Sequence, residues 1–290
     1  MAGPGRKGIL GDTDDFFVRF WGVRGSIACP GPDTTRYGGN TSCLEVCCGE
    51  RMLIFDAGTG IHALGSDLKG KRGVGGDFSA DLFFSHTHFD HICGFPFFSP
   101  AFDESCELRI WAGHLMPERT IREVLIYLMM DPLFPVPMDT MRAHIDFRDF
   151  GAGETLAPAP GVSVQTAPLN HPNRATGYRI DYQGHSICYV TDTEHVPDKP
   201  DRNILELVDG ADIFIYDCTY TDEEFKNHLD WGHSTWQEGA RLAEAANVGT
   251  LVVFHHDPDH DDAFMDQVAS DLEAVRPGSI VAREGMVLRP

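Results

Sequence analysis

The sequence predicts an α/β fold in which mixed β-sheets are covered by helices on their outer faces. Short apolar runs rich in β-branched residues alternate with helix patterns in both halves of the chain. Several of these runs also follow one another directly, as hairpin strands do. Residues 1–15 are predicted to be a flexible tail. Residues 16–290 contain no linker or clear repeat, so they are predicted to form a single domain.

The predicted elements follow the apolar periodicity along the chain. Strands are predicted at residues 16–21, 43–48, 52–55, 81–85, 107–111, 162–167, 177–182, 185–191, 213–217, 250–255 and 287–288. A short helix is expected after the glycine-rich turn that begins at Asp56. A second helix is predicted from Pro117, with the proline in its first turn and Asp131-Pro132 ending it. Two more are predicted at residues 234–246 and 261–275.

The composition restricts the classes of partner. Asp and Glu number 44 and Lys and Arg 23, which gives a formal net charge of -21. Because phosphate neutralisation by basic side chains supplies most of the affinity for long nucleic acid, this balance disfavours a large RNA or DNA substrate. No apolar run approaches the ~20 residues that cross a bilayer, and no signal peptide is evident. The expected location is therefore cytoplasmic, without membrane contact.

Eight cysteines are scattered without CxxC pairs, and several lie inside apolar runs. This pattern argues against a disulfide scaffold and against a structural zinc ribbon. The cysteines are predicted to be reduced core residues.

The strongest chemical signal is the sequence HTHFDH, which follows the predicted strand at 81–85. It places four potential metal ligands within six residues at the end of a strand: His86, His88, Asp90 and His91. Histidine and carboxylate are the usual donors for zinc and similar divalent ions. Later predicted strands also lead to such side chains, namely His171, Asp192 and His255. Strand ends that share one sheet edge would bring these residues together.

From Phe16 to the C-terminus, this ligand order resembles the metallo-β-lactamase-fold hydrolase superfamily, whose signature is HxHxDH. The resemblance implies a four-layer αββα sandwich with a dinuclear metal site at one edge of its two sheets. It also implies that one metal is bound by His86, His88 and His171, and the other by Asp90, His91 and His255, with Asp192 bridging them. Asp56 resembles the residue that supports the ligand histidines from behind.

The last histidine ligand is ambiguous, because the sequence offers both His255 and His256. Aligning LVVFH with the apolar strand that usually ends in the ligand favours His255. Strand alternation would place His256 on the opposite face.

A second motif, GHST, precedes the predicted helix at 234–246 and resembles the ribonuclease Z branch and its phosphodiesterase relatives. Ser234 and Gln237 have the spacing of a capping box. The resemblance implies that His233 assists phosphodiester cleavage and that Asp217 orients it, although relatives often have glutamate there. A histidine next to a helix N-terminus is well placed to stabilise a phosphate oxygen.

The expected function is therefore a dinuclear metal-dependent hydrolase that cleaves a small or cyclic phosphodiester. A metal-bridging hydroxide would attack, His233 would assist the leaving oxygen, and Asp90 would serve as both ligand and proton acceptor. Zinc is the expected metal, with manganese and iron as alternatives. A homodimer is common among relatives. Arg36, Asn40 and Arg174 are further candidates for phosphate or base contacts.

Three other functions compete with this one. They are transfer RNA 3′-processing, hydrolysis of a lactone or thioester, and metal-dependent sensing without catalysis. The acidic charge and the lack of a long basic arm argue against the RNA. Lactone and thioester hydrolases share the ligand set but do not need GHST. Open metal positions argue against a sensor, because a structural site is normally closed by four protein ligands.

Overall fold

A computed structural model describes residues 15–72 and 78–290. Apart from Asp15, the predicted flexible tail lies outside the described residues. The described strands, in chain order, are β1 (Phe16–Gly22), β2 (Cys43–Cys48), β3 (Arg51–Phe55), β4 (Phe78–Phe84), β5 (Cys106–Ala112), β6 (His144–Asp149), β7 (Thr155–Ala159), β8 (Val162–Leu169), β9 (Ala175–Tyr182), β10 (His185–Val190), β11 (Ile213–Asp217), β12 (Thr250–Phe254), β13 (Ile280–Val281) and β14 (Val287–Leu288).

Within the described ranges these strands form two mixed sheets of seven. The order of the first is β14-β1-β2-β3-β4-β5-β6, and that of the second is β13-β12-β11-β10-β9-β8-β7. Strands β3 to β6 are parallel, as are β10 to β13, whereas the remaining neighbours are antiparallel. Each sheet therefore has one parallel half, and the carboxyl ends of those strands are where the site forms.

The helices are α1 (Gly60–Arg72), α2 (Phe89–Ile92), α3 (Ile121–Leu128), α4 (Arg202–Val208), α5 (Asp222–Phe225), α6 (Trp236–Ala245) and α7 (Asp262–Val275). Helices α1 and α3 pack on the first sheet, whereas α4, α6 and α7 pack on the second. No helix among the described residues combines the length and apolarity that a membrane crossing requires.

Three apolar clusters separate four layers. One, which includes Phe20, Phe83 and Ile215, lies between the sheets. The second lies between the first sheet and its helices, and the third lies under α4, α6 and α7. The predicted four-layer αββα sandwich is thus confirmed. Six of the eight cysteines are buried, whereas Cys29 and Cys93 are partly exposed.

Several sequence-based boundaries were wrong for identifiable reasons. Helix α3 begins at Ile121 rather than near Pro117, because Thr120 accepts from the Glu123 N–H and forms a capping box with it. Strands β6 and β7 and helix α4 were not predicted, and α1 is longer than expected. The sequence of β6, HIDFRD, has no fully buried residue, so it lacks the apolar signal of a core strand.

The predicted capping box of Ser234 and Gln237 is also wrong. The N-cap of α6 is Thr235, whose hydroxyl accepts from the Glu238 N–H at 3.0 Å. The Ser234 hydroxyl is buried instead, where it accepts from the Tyr216 hydroxyl at 2.9 Å and lies 2.8 Å from His195 Nδ1. The helix starts one residue later than the serine-based pattern indicates, and Ser234 anchors the preceding loop to β11.

Candidate metal centre

Four side chains direct one donor atom each to a common point between the two sheets. His91 Nε2 lies 3.1 Å from Asp90 Oδ2, 3.1 Å from Asp192 Oδ2 and 3.4 Å from His255 Nε2. His255 Nε2 lies 3.4 Å from Asp90 Oδ2 and 3.3 Å from Asp192 Oδ2. Four ligands about 2.0 Å from a tetrahedral zinc ion are roughly 3.3 Å apart, so these separations suit a single small cation. The donors of Asp90, His91, Asp192 and His255 are referred to as the tetrahedral group.

A second set of donors lies beside the first and consists of His86, His88 and His171. His171 Nε2 lies 3.0 Å from His88 Nδ1, and the three donor atoms all lie within 4.8 Å of one another. His171 Nδ1 lies 2.7 Å from the Gly232 carbonyl oxygen and donates to it. This hydrogen bond leaves Nε2 of His171 with a free lone pair that faces the set.

Asp192 lies between the two sets. Its Oδ2 belongs to the tetrahedral group, whereas its Oδ1 lies 3.7 Å from His86 Nε2 and 3.8 Å from His171 Nε2. The residue follows β10 and has a left-handed backbone with φ 55°. A carboxylate with one oxygen towards each set has the arrangement that a bridging ligand needs.

The chemistry of the donors fits divalent cations. His86 Nε2 is buried and has no hydrogen-bond partner in the described part of the chain. Burial lowers the pKa of His86 well below its usual value, so its ring is neutral and can offer a lone pair. A buried nitrogen without a partner is costly unless something binds it. The lone pair on His86 Nε2 is therefore available to bind a cation in the cluster.

Asp56 supports the site from behind His91. Its Oδ2 lies 2.8 Å from His91 Nδ1 and also accepts from Tyr189 Oη at 2.8 Å and from Ser85 Oγ at 2.7 Å. The backbone N–H of Ser85 donates to Oδ1 at 2.7 Å. These contacts fix the His91 ring so that Nε2 faces the other donors. The sequence suggested the role of Asp56 but not the contribution of Tyr189, which comes from the other sheet.

Asp217 connects two histidines. Its Oδ1 accepts from Thr219 Oγ1 at 2.7 Å, and that hydroxyl lies 3.0 Å from His255 Nδ1. Its Oδ2 lies 3.1 Å from His233 Nδ1. Thr219, which the sequence did not single out, thus links the predicted orienting acid to the candidate ligand His255.

His233 borders the cluster without joining either donor set. Its Nδ1 is 3.8 Å from Asp192 Oδ1, and its ring stacks on His255 with centroids 4.9 Å apart. Burial lowers the pKa of His233, but the nearby carboxylates of Asp217, Asp192 and Asp90 together outweigh burial and raise that pKa to about 9. The imidazole is therefore protonated near neutral pH, with Nδ1 committed to Asp217 and Nε2 available to donate elsewhere.

His256 does not reach the cluster. The backbone of His255 has φ 61°, a left-handed conformation that ends β12 and turns its ring towards the other donors. His256 Nε2 instead lies 2.9 Å from the Ala282 carbonyl oxygen, which accepts from it. The structure thus places His255, and not His256, with the other predicted ligands.

The three weaker candidates are occupied elsewhere. Arg36 pairs with Asp266 at 2.7 Å, and Asn40 donates from Nδ2 to Glu284 at 3.0 Å. Arg174 pairs with Glu118 on an exposed surface. One contact to the donor sets was not predicted: the backbone N–H of Ser26 donates to Asp90 Oδ2 at 2.8 Å. No sequence pattern marks Ser26, because its role depends on a backbone group in a loop with φ 60°.

Comparison with known proteins agrees with this fold. Residues 51–256 match the β-lactamase superfamily domain. The chain therefore belongs to the β-lactamase superfamily, and it is a metal-dependent hydrolase of the metallo-β-lactamase fold. That fold implies divalent metal ions. Ribonuclease Z of Mycobacterium avium is 25% identical over 253 residues, which cover 79% of this chain and 83% of that protein. The predicted resemblance to ribonuclease Z is thereby confirmed.

Two solved structures share the fold. The metallo-β-lactamase fold protein YhfI of Bacillus subtilis superposes with a TM-score of 0.68 at 20% identity, covering 95% of this chain and 100% of YhfI. A diphosphatase of the PhnP family superposes with a TM-score of 0.67 at 16% identity, covering 95% and 98%. At these identities the likeness concerns the architecture, which agrees with the two sheets described above.

Proposed function

We propose that the protein is a phosphodiesterase that hydrolyses a small or cyclic phosphodiester, such as a cyclic nucleotide, with two divalent metal ions. One ion would be held by His86, His88 and His171, and the other by Asp90, His91 and His255, with Asp192 shared between them. Divalent ions in such a site lower the pKa of bound water and offset negative charge on phosphate oxygens. Zinc suits the histidine-rich ligands and their separations, and manganese and iron are alternatives.

The position and charge of His233 carry this proposal. The ring lies against the candidate ligand His255 and close to Asp192, and its Nδ1 is held by Asp217 at 3.1 Å. A protonated imidazole with Nε2 free can donate to an oxygen of a substrate that approaches the cluster. Cleavage of a phosphodiester releases an alkoxide, so a proton donor beside the metal centre matches the chemistry of that leaving group.

Asp90 and Asp217 have separate roles in this account. Asp217 accepts a hydrogen bond from Nδ1 of His233. This contact orients the ring and stabilises its protonated form. Asp90 contributes Oδ2 to the tetrahedral group and also accepts the Ser26 N–H. Besides acting as a ligand, Asp90 would accept the proton of the attacking water.

The charge of the chain favours a small substrate. With 44 acidic and 23 basic residues, the surface offers little general attraction for a long polyanion. The similarity to ribonuclease Z keeps transfer RNA 3′-processing as the second candidate. A lactone or thioester hydrolase is the third, since the same ligand set would serve it. The need for His233 distinguishes a phosphodiesterase from this third candidate, because acyl transfer at such a site does not require the histidine of GHST.

A substrate panel tests the proposal. The purified protein, loaded separately with zinc and manganese, is assayed on 2′,3′- and 3′,5′-cyclic nucleotides, a 3′-extended transfer RNA, a lactone and a thioester. We expect a cyclic nucleotide to give the highest kcat/KM. A preference for the transfer RNA would replace the small substrate with the second candidate. Turnover of the lactone or thioester alone would refute the phosphodiesterase.

Three further expectations belong to this proposal. Residues 16–290 act as one catalytic domain, the protein is located in the cytoplasm, and it assembles as a homodimer. Sedimentation of the purified chain tests the last of these directly.

A further inference from the structure

We infer that Phe89 and Trp231 form stacking surfaces for an aromatic base, so that the substrate of the proposed site is a nucleotide phosphodiester rather than a phosphodiester of a plain sugar or alcohol. This inference rests on the proposed function and narrows its substrate class. It concerns two residues that act neither as metal donors nor as proton donors.

Exposed apolar side chains are concentrated around the cluster. Twelve large apolar side chains in the described ranges are markedly exposed. Five of them lie within three residues of a group that contacts the donor sets: Ile27, Phe89, Met116, Leu229 and Trp231. Ile27 follows Ser26, which donates to Asp90, and Trp231 precedes Gly232, which accepts from His171. Apolar side chains gathered at the entrance of a polar site are typical of a ligand-binding surface.

Phe89 projects from the metal-binding motif itself. It is the first residue of α2, between His88 and Asp90, and its side chain is 69% exposed. Both neighbours belong to the donor sets, so the backbone that carries this ring is fixed by the same geometry as the site. An exposed phenyl ring gains nothing from the fold, but its face is available to a ligand.

Trp231 is equally exposed but firmly held. The Glu194 carboxylate accepts from the Asp230 N–H at 3.0 Å and from the Gly232 N–H at 2.8 Å, which fixes the backbone on both sides of the tryptophan. The indole is 62% exposed and meets the His228 ring edge-on, with centroids 5.0 Å apart. An exposed ring on an ordered loop can bind a ligand with little loss of conformational entropy.

An aromatic row connects this indole to the proposed proton donor. The His228 ring stacks on Tyr220 at 4.4 Å, and the Tyr220 ring lies 6.1 Å from His233. Trp231 is thus the solvent-facing end of a row whose inner end is His233. Because Trp231 also precedes His233 by only two residues, one loop carries both the indole and the proposed proton donor.

Stacking suits a base better than a sugar or an aliphatic alcohol. Every base has a π-face, and removing one aromatic surface lowers affinity by between about 5-fold and about 150-fold. Because the base is distant from the breaking bond, the effect should appear mainly in KM.

The test compares two substrates that share the reacting group. One is adenosine 2′,3′-cyclic phosphate, and the other is the same ribose cyclic phosphate with hydrogen in place of the base. Wild-type protein is measured beside Phe89→Leu and Trp231→Leu, with Tyr127→Leu as the matched control, because Tyr127 is also exposed but lies on α3. Leucine preserves apolar character and removes the aromatic face. Metal content and melting temperature are measured for each variant.

We expect wild-type protein to prefer the base-bearing substrate. In each of the two site variants, the KM for the base-bearing substrate should rise between about 5-fold and about 150-fold, while its kcat stays unchanged. The kcat/KM for the abasic substrate should also stay unchanged. Tyr127→Leu should behave as wild type. Equal kcat/KM for both substrates, or equal losses on both in the variants, would overturn the inference while leaving the phosphodiesterase intact. Where the panel shows a preference for the 3′,5′-cyclic nucleotide, that nucleotide and its abasic counterpart replace the 2′,3′ pair. If wild-type protein hydrolysed neither pair, both proposals would fail.

Discussion

Asp56 Oδ2 lies 2.8 Å from His91 Nδ1, and this contact orients the ring that contributes a donor to the tetrahedral group. Both residues are fully buried. Since Asp56 also accepts from Tyr189 on the second sheet, one carboxylate ties the two halves of the sandwich together at the candidate metal centre. The organisation of the site therefore depends on residues behind the donors as much as on the donors themselves.

Asp56→Asn tests that support. Asparagine keeps the shape and tolerates the φ of 61° found here, but it presents one donor in place of an acceptor. Metal affinity, measured by competition with a chelator, should fall roughly 10- to 100-fold while the protein remains folded. Asp33→Asn, on an exposed turn, is the control and should bind metal as wild type does. Equal affinities for the two variants would show that Asp56 does not support the donors.

Gly232→Ala should disturb the histidine donors. A Cβ at this position would lie 2.4 Å from His171 Nδ1 and from Pro172 Cδ, and the residue has φ 86°. Because the loop must shift, both His171 and His233 should move, and metal affinity and kcat should fall together. The matched control is Gly278→Ala, which has φ 82° but no atom within 4 Å of the added carbon.

Both glycine variants incur the strain of a left-handed alanine, which is about 1 kcal/mol. Their melting temperatures should therefore both fall, and that of Gly232→Ala should fall further because of its clash with His171 and Pro172. Only Gly232→Ala should change metal binding. Loss of metal in both variants would mean that general destabilisation, and not the contact with His171, is the cause.

Thr235→Ala tests the corrected start of α6. Its hydroxyl accepts from the Glu238 N–H and also donates to Asp222 Oδ1 at 2.7 Å, so removing it should cost at least about 1 kcal/mol of the free energy of unfolding. Thr35→Ala is the control, because Thr35 is exposed and donates to the Pro32 carbonyl oxygen in a surface turn. Its effect should stay within about 0.5 kcal/mol. Denaturant unfolding of both variants measures the difference, and equal stabilities would contradict the assignment of Thr235 as the N-cap.

The sequence predicted the donor set because strand ends are visible in the apolar pattern. His86, Asp192 and His255 each follow a buried run, and parallel strands deliver such residues to a common edge. Motif resemblance added the roles of His233 and Asp217. Mixed sheets with helices outside were predictable for the same reason, although the exposed strand β6 gave too weak an apolar signal. The four-layer arrangement came from the family resemblance.

The contacts that the sequence did not reveal depend on how the two sheets and their loops pack together. Tyr189 reaches Asp56 across the sheets, and Thr219 links Asp217 to His255, but neither contact follows from local spacing. The Ser26 contribution is a backbone N–H, which any residue would supply. Ser234 looked like a cap because its spacing to Gln237 fits one, yet burial against Tyr216 took precedence. Such contacts arise only once the sheets are packed.

The most direct test of the central proposal is the rate of cyclic nucleotide hydrolysis by His233→Ala, with metal content measured on the same samples. His185→Ala, an exposed histidine at the start of β10, is the control. We predict that His233→Ala lowers kcat by about 10²- to 10⁴-fold while keeping its metal, and that His185→Ala does neither. Full activity in metal-loaded His233→Ala would contradict the account, because the proposed proton donor would then have no part in phosphodiester cleavage.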